Sequence, residues 1–295
     1  SWQHQKKKDQ VLIPFNGVLP KLWEVVIDLE SQSDAVINFA YDWLPLWLTK
    51  TKVIKIFHLI SMGAESIVMK EIISEISQLF PFQLAFHTLK QSKDYALNID
   101  PIIVGNGFEK ANYFFNENDN GPLGWAGRIA PEKGLEDAVK IASDLGEKLL
   151  VWGLIEDKEY ASKIENTFTK GIIEWKGFLP TSQFQEQLGQ CRAFINTPKW
   201  NEAYGNVIVE ALACGVPVIA YDLGGPGELI EDGLNGFLVQ PNDIEGMKKA
   251  TKLISKIKRR NCRNWFEKNA TNKVFAERVE NWINKGLNKN ISVDF

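Results

Sequence analysis

Two carboxylates stand eight positions apart in the stretch "NEAYGNVIVEALACG", residues 201–215. Glu210 is flanked on both sides by valine, isoleucine, leucine and alanine, a composition typical of a buried helix. A buried carboxylate without a partner is costly, so we expect Glu210 to have one. Gly215 and Pro217 end the predicted helix, because glycine readily adopts the left-handed cap conformation and proline cannot continue a helix. The stretch therefore predicts a polar group held inside an apolar helix.

Cations and glycines occur at other predicted strand-to-helix turns. Arg128 and Lys133 lie in "WAGRIAPEKGLEDAVKIA", between a predicted strand and an amphipathic helix. Arginine offers a bidentate fork and lysine a point charge, and together they suit a diphosphate. Gly224 and Gly225 follow another strand and allow backbone amides to approach an anion closely. Ligands of open α/β sheets bind at this edge, so we expect an anion site there.

The elements that must position these side chains are short apolar runs that alternate with helical stretches. Such runs are typical of parallel strands covered on both faces, and the alternation predicts doubly wound α/β domains. The first set is "QVLIPF", "EVVIDLE", "DAVINFAY", "VIKIFHLI", "FQLAFHT" and "PIIVGNG". The second set is "GWAGRI", "KLLVWGL", "GIIEWKGF", "RAFINTP", "VPVIAYD" and "GFLVQP".

Domain boundaries follow from the polar stretch "NENDNGP", residues 116–122. We assign residues 1–116 to a first domain and 117–272 to a second. An amphipathic C-terminal helix, about residues 273–295, is assigned to the first domain. Eight residues separate "VLIPF" from "EVVIDLE", too few for a parallel crossover. Either these two strands are not parallel neighbours or internal residues are absent.

Charge and cysteine content exclude several classes. The net charge is −3, with 34 Lys and Arg against 37 Asp and Glu, which argues against a nucleic-acid binder. Cys191, Cys214 and Cys262 are too far apart to suggest a disulfide framework or a zinc site. Neither a transmembrane run nor a signal peptide is evident. We expect a cytoplasmic protein in a reducing compartment.

The segments "GRIAPEKG" and "NEAYGNVIVEALACGVPVIAYDLGGPGELIEDGLNGFLV" resemble glycosyltransferase family 4. This family comprises retaining, nucleotide-sugar-dependent glycosyltransferases with the GT-B fold, two Rossmann-like domains facing each other across a cleft. The resemblance is strong from Leu123 to Pro241, and its most specific part is the Glu-x7-Glu motif, Glu202 to Glu210. It is fainter in "FHLISMGAES" and "PIIVGNGFEKANYF". It implies an acceptor-side first domain and a donor-binding second domain.

The resemblance also implies a role for each site residue. Glu210 would accept hydrogen bonds from the ribose hydroxyls, so that its partner would be the ligand, and Glu202 would contact hydroxyls of the donor sugar. Arg128 and Lys133 would neutralise the diphosphate leaving group. The remaining contacts are the backbone around Tyr204, Gly205 and Asn206 for the donor, that of Gly177, Phe178 and Leu179 for the base, and His58 for the sugar.

Two features, His58 and a basic run near the C-terminus, each have two interpretations. His58 ends an apolar strand, where a histidine bonded to the backbone is the commoner arrangement. The basic run "KIKRRNCR", residues 256–263, could face anionic lipid, or it could be a solvated helix face. The lipid interpretation would add weak peripheral association with the inner face of a membrane.

We therefore predict a hexosyltransferase that uses a UDP-sugar, UDP-glucose being the commonest candidate, with a saccharide or lipid-linked acceptor in polysaccharide or glycoconjugate biosynthesis. No cofactor is expected. No D-x-D motif is present, so metal independence is predicted, with Arg128 and Lys133 in place of the ion. A catalytically silent sugar-nucleotide-binding subunit and a UDP-sugar epimerase remain alternatives. A nicotinamide-dependent dehydrogenase is excluded, because "GNGFEKA" has Lys110 where the third glycine is required.

Overall fold

A computed structural model describes residues 18–51, 55–64, 66–117, 120–168 and 171–289. These residues fall into two compact units. The first comprises the residues up to Phe86, Ser92–Ile103 and those from Glu280 onward, and the second comprises His87–Gln91 and Val104–Val279. Each unit is built on a parallel sheet, so the predicted pair of α/β domains is confirmed.

The first unit contains a parallel sheet in the order β1-β2-β3-β4. Its strands are β1 (Val36–Asn38), β2 (Ile56–Ile60), β3 (Leu84–Phe86) and β4 (Ile102–Ile103). Helices α1 (Val18–Asp28), α2 (Trp43–Thr51), α3 (Ile67–Leu79) and α4 (Leu89–Lys93) accompany them, the last beginning in the segment that belongs to the second unit. Strand β2 is buried along its whole length, because it lies between β1 and β3.

The prediction of a strand in "EVVIDLE" was wrong, because most of this stretch lies in helix α1. Trp23 is buried and Val26, three positions on, is half-buried, and both pack with Ile56. That spacing is helical, whereas the β-branched residues favour a strand by composition. The short connection therefore joins no pair of parallel strands within the described residues, and "VLIPF" lies outside them.

The second unit contains a parallel sheet in the order β10-β9-β8-β5-β6-β7. Its strands are β5 (Leu123–Ala126), β6 (Leu149–Trp152), β7 (Ile173–Gly177), β8 (Ala193–Asn196), β9 (Val218–Tyr221) and β10 (Gly236–Val239). The strand order reverses between β5 and β8, and ligands of doubly wound sheets bind beyond the carboxyl ends of strands at such a point. Each of the predicted runs in this half of the chain overlaps one strand.

Helices of the second unit surround an apolar core that includes the buried strands β5, β8 and β9. They are α5 (Leu135–Leu145), α6 (Lys158–Thr167), α7 (Thr181–Gly189), α8 (Asn206–Ala213), α9 (Pro226–Leu229), α10 (Ile244–Leu253), α11 (Arg259–Asn269) and α12 (Asn272–Lys289). The last helix passes from the second unit into the first at Glu280. Within the described ranges, every helix is too short or too polar to cross a membrane.

Residues 104–116 group with the second unit, whereas the sequence analysis placed the domain boundary at residue 116. Contacts of Tyr113 account for this grouping. Its carbonyl oxygen accepts a 2.7 Å hydrogen bond from Arg263 Nη1, and its ring makes edge contacts with Phe108 and Phe266. The segment before the polar stretch is therefore packed into the core of the second unit.

Candidate functional site

The loops after β5 and β8 flank the point where the strand order of the second sheet reverses, and they are locked together. Thr197 Oγ1 donates a 2.8 Å hydrogen bond to the carbonyl oxygen of Gly134. The Lys199 amide donates to the carbonyl oxygen of Glu132, also at 2.8 Å. Gly134 has a φ of +63°, and a Cβ there would lie 2.0 Å from the Thr197 carbonyl oxygen. Only glycine permits this approach, which sets the two loops side by side.

Glu202 and Lys133, one from each loop, form an ion pair with 2.6 Å between Nζ and Oε2. Trp200 Nε1 donates to the same oxygen at 3.2 Å, and Lys133 Nζ lies 4.5 Å from the centroid of the Trp200 ring. The two charged side chains are only 18% and 19% exposed. The structure thus brings together two of the residues predicted to bind the donor, and adds Trp200 to them.

Gly224 and Gly225 pack directly against the loop that carries Glu202. The Gly225 amide donates a 2.6 Å hydrogen bond to the Glu202 carbonyl oxygen. A Cβ on Gly225 would lie 2.1 Å from the carbonyl oxygen of Tyr204. The expectation that this amide is available to an anion is therefore corrected: it is engaged by the protein, and the glycines are needed for close backbone packing.

Helix α8 begins after Gly205, whose φ of +107° turns the chain into the helix. Half-buried Glu210 accepts a 3.0 Å hydrogen bond at Oε1 from the hydroxyl of Tyr113. Burial raises the pKa of the Glu210 carboxyl to about 7, and the Tyr113 hydrogen bond opposes that rise. The partner expected for this carboxylate thus includes a protein group 97 positions away, which no local sequence signal could reveal.

The turn before α8 is held by residues distant in sequence. Asn106 Nδ2 donates to Asn206 Oδ1 at 3.0 Å, and the ring centroids of His87 and Tyr204 are 5.5 Å apart. Burial raises the pKa of Tyr204 to about 12. Thr88 Oγ1 donates a 2.9 Å hydrogen bond to the carbonyl oxygen of Ala203. The predicted site residues Tyr204, Gly205 and Asn206 are therefore braced on several sides.

Residues 87–91 make further contacts near this turn. They belong to the second unit, although the residues on either side of them in the sequence belong to the first. His87 Nδ1 lies 2.6 Å from the carbonyl oxygen of Gly105, and burial lowers the pKa of this histidine. Glu228 accepts hydrogen bonds from the amides of Leu89 and Lys90. Lys90 also forms an ion pair with Asp222. These residues lie outside the set of site residues predicted from the sequence.

Arg128 lies in the loop after β5, as predicted, and its guanidinium is held by two carboxylates. Nη1 is 2.6 Å from Glu156 and Nη2 is 2.8 Å from Glu132, and the side chain is 47% exposed. The pKa of Arg128 is raised, mainly because of its hydrogen bond to Glu156. A diphosphate would have to replace these carboxylates to engage Arg128.

Gly177, Phe178 and Leu179 lie at the end of β7, an outer strand of the second sheet. Gly177 has a φ of +66°, and its carbonyl oxygen accepts a 2.9 Å hydrogen bond from the Gly153 amide. Phe178 is 68% exposed. Contact between these residues and a nucleotide base stays a prediction.

His58 is fully buried in β2 of the first unit, and both ring nitrogens are hydrogen-bonded. Asn38 Nδ2, a donor, lies 3.1 Å from Nδ1, so Nε2 carries the proton and donates to Thr49 Oγ1 at 2.7 Å. Thr49 in turn donates to the carbonyl oxygen of Pro45. Burial lowers the pKa of His58 to about 3. The expected donor-sugar contact is corrected, because no ring nitrogen is left for a ligand.

The basic run at residues 256–263 fits neither interpretation in full. Arg259 is buried and donates to the carbonyl oxygens of Asn116, Gly189 and Cys191. Arg263 is also buried and donates to the carbonyl oxygens of Tyr113 and Ala213. These two cations hold α11 to neighbouring segments of the unit and are not part of a solvated or lipid-facing surface.

Comparisons with known proteins show the family of this chain. The family model described as "Glycosyl transferases group 1" matches residues 109–273, more than half of the chain. A glycosyltransferase of Methanocaldococcus jannaschii is 32% identical over 162 residues, covering 54% of this chain and 45% of that protein. The chain spans less than half the length of the first curated relatives that it matches.

Solved structures extend the likeness to the whole fold. HepE of Anabaena in complex with UDP and glucose superposes with a TM-score of 0.76 at 16% identity, covering 91% of this chain and 83% of HepE. HepE in complex with UDP-glucose gives a TM-score of 0.75 at 16% identity, covering 90% and 84%.

The two parallel-sheet α/β units and the likeness to HepE define the fold class as GT-B. Within that class, this chain belongs to the group 1 glycosyl transferases.

Proposed function

We propose that this chain is a retaining, metal-independent glycosyltransferase of family 4 type that transfers a hexose from a UDP-sugar, UDP-glucose in the first instance. The single observation that carries the proposal is the site at the β5 and β8 loops. There the Glu202–Lys133 ion pair and Glu210 lie in one unit at the edge where doubly wound sheets bind nucleotides.

Lys133 and Glu202 carry opposite charges, and a bound donor can separate this ion pair. A departing diphosphate develops negative charge, and Lys133 can move from Glu202 to neutralise it. Glu202 is then released to accept hydrogen bonds from hydroxyls of the sugar. Trp200, which donates to Glu202 and lies beside Lys133, holds the pair in a partly desolvated setting where such interactions are strong.

Glu210 supports recognition of the ribose. Tyr113 occupies Oε1, and within the described part of the chain no hydrogen bond of Glu210 uses Oε2. A carboxylate oxygen can accept from the hydroxyls of a ribose, as the Glu-x7-Glu motif implies. Gly205 and Asn206 at the start of α8 add the positive end of a helix dipole close by.

The choice of UDP-glucose is supported by the HepE structures, which hold UDP with glucose and UDP-glucose. Metal independence is supported by the absence of a D-x-D motif from the sequence and by the two cations after β5. Retention of configuration is inferred from the resemblance to family 4. The acceptor is proposed to be a saccharide or a lipid-linked sugar, in polysaccharide or glycoconjugate biosynthesis.

Hydrolysis and transfer assays test the proposal. Purified protein in chelator is incubated with UDP-glucose, and released UDP is measured with and without a panel of saccharide and lipid-linked acceptors. We expect UDP release, and we expect Glu202→Gln to lower its rate about 100-fold. Stable UDP binding with no release under any of these conditions would instead favour a silent sugar-nucleotide-binding subunit. Conversion of UDP-glucose to another UDP-hexose would favour an epimerase.

A further inference from the structure

We infer that Tyr113 is a positioning residue for ribose recognition: its hydroxyl holds Oε1 of Glu210, so that Oε2 accepts from the ribose. The inference rests on the proposed function, because it needs a nucleotide at Glu210. It goes beyond that function by assigning a role to a residue outside the Glu-x7-Glu motif.

The Tyr113 side chain is fixed independently of Glu210. It is only 5% exposed, and its ring makes edge contacts with Phe108 and Phe266, with centroid separations of 6.2 and 6.1 Å. Its carbonyl oxygen accepts from Arg263, which is itself buried. The ring and the backbone are thus anchored by packing, and the hydroxyl is directed at Glu210 with 3.0 Å between the oxygens.

Tyr113 is the hydrogen-bond partner that the described residues offer to Glu210. The other titratable or charged groups near this side of α8 are Cys214, whose Sγ donates to the Gln185 carbonyl oxygen, and Arg263 and Arg259 on α11. Both arginines are engaged with backbone carbonyl oxygens. On α7 the nearby side chain is the neutral Gln185. Glu228 on α9 is engaged by the amides of residues 89 and 90.

Removing the hydroxyl should therefore affect Glu210 in two ways. The carboxylate loses the group that fixes its orientation, and it loses the hydrogen bond that favours its charged form. Since burial already raises the pKa of Glu210 to about 7, Tyr113→Phe should raise it further. At neutral pH less of the carboxyl is then ionised to accept from a ribose. The loss of affinity should shrink as the pH is raised above the new pKa.

Calorimetric titrations test this inference with UDP and 2′-deoxy-UDP at pH 6, 7, 8 and 9. The proteins are wild type, Glu210→Gln, Tyr113→Phe and the matched control Tyr160→Phe. Tyr160 also donates to a carboxylate, Glu136, but on α6 and α5 and away from Glu210. Thermal unfolding of each variant is measured in parallel.

For Tyr113→Phe, we expect UDP affinity to fall about tenfold at pH 7 (about 1.4 kcal/mol) and to recover toward pH 9. The fall should be smaller for 2′-deoxy-UDP, and Tyr160→Phe should bind as wild type does. A merely structural role for Tyr113 would lower UDP affinity equally at every pH and for both nucleotides, which would overturn the inference.

The outcomes separate the inference from the proposed function. If wild type binds UDP and Glu210→Gln weakens it while Tyr113→Phe does not, the inference alone fails. If wild type binds no UDP, the proposed donor fails and the inference falls with it.

Discussion

His58 in the first unit and Glu210 in the second are both ionisable side chains set in apolar stretches, yet they differ in burial and in hydrogen bonding. His58 is fully buried with both ring nitrogens bonded to Asn38 and Thr49. Glu210 is half-buried with one oxygen bonded to Tyr113. Burial opposes the charged form of both, lowering the pKa of the histidine and raising that of the carboxyl.

We infer that hydrogen-bond completeness separates a structural ionisable group from one that is available to a ligand. A neutral imidazole has two hydrogen-bonding positions, and His58 uses both. A carboxylate has two oxygens, and the described residues engage one of those on Glu210. The first group is expected to matter for stability, and the second for binding.

The largest expected effect is on stability, through His58→Ala. The substitution leaves a cavity and removes partners of Asn38 and Thr49, so the free energy of unfolding should fall by about 3 kcal/mol in urea titrations. The folded pKa of about 3 lies below the unfolded value of 6.5, so the unfolded state binds the extra proton. Wild type should lose stability as the pH falls from about 6.5 toward 3, and the variant should lack that component. An unchanged unfolding curve with lost UDP binding would restore a ligand role to His58.

Next in size is the effect of Glu202→Gln on transfer. Glu202 is proposed to contact the sugar and to balance Lys133, so kcat for donor turnover should fall about 100-fold. UDP lacks the sugar, and its affinity should change much less. Glu159→Gln, an exposed carboxylate on α6, is the matched control. Equal losses of UDP affinity and turnover would place Glu202 at the nucleotide instead.

Glu210→Gln should change the pH dependence of stability. The pKa of about 7 for Glu210 in the folded state exceeds the unfolded value of 4.5, so the folded state binds the extra proton between these pH values. Wild-type stability should therefore decline as the pH rises from about 4.5 to 7, and glutamine removes this component. The variant should gain about 2 kcal/mol relative to wild type between pH 5 and pH 8, measured by chemical unfolding. A gain that does not vary with pH would argue against a raised pKa.

The smallest effect is expected for Thr88→Val. The variant loses the hydrogen bond to the Ala203 carbonyl oxygen, which braces the loop between Glu202 and α8. One such bond contributes about 1 kcal/mol, so KM for the donor should rise about fivefold and the free energy of unfolding should fall by a similar amount. Thr167→Val removes a comparable bond to Lys163 at the end of α6 and serves as the control. A KM equal to that of the control would show that the brace does not act on the site.

Much of the fold could be predicted, because strands β5 to β10 are apolar runs flanked by glycine, proline and polar residues. The failure was "EVVIDLE", where β-branched composition outweighed the helical spacing of Trp23 and Val26. The division near residue 104 could not be predicted either. It depends on contacts of Tyr113 with Phe266 and Arg263. Arg263 lies 150 positions further along the chain, so no local sequence pattern reveals these contacts.

The candidate site, like the fold, could be predicted only in part. The Glu-x7-Glu spacing and the cations after β5 predicted Glu202, Glu210, Lys133 and Arg128 as site residues, because these lie in local motifs; that they bind a donor stays a prediction. Their partners could not be predicted. Trp200 precedes Glu202 by two positions, but the bond it makes depends on a side-chain direction, and Tyr113 reaches Glu210 only through the tertiary fold.

Calorimetric titration with UDP, GDP and ADP in chelator, on wild type and Glu210→Ala, tests whether Glu210 belongs to a nucleotide-sugar site. We expect UDP to bind without metal and the substitution to weaken binding at least tenfold, about 1.4 kcal/mol. If no nucleotide binds to wild type, or if Glu210→Ala binds UDP as wild type does, the assignment of a nucleotide-sugar site at Glu210 is contradicted.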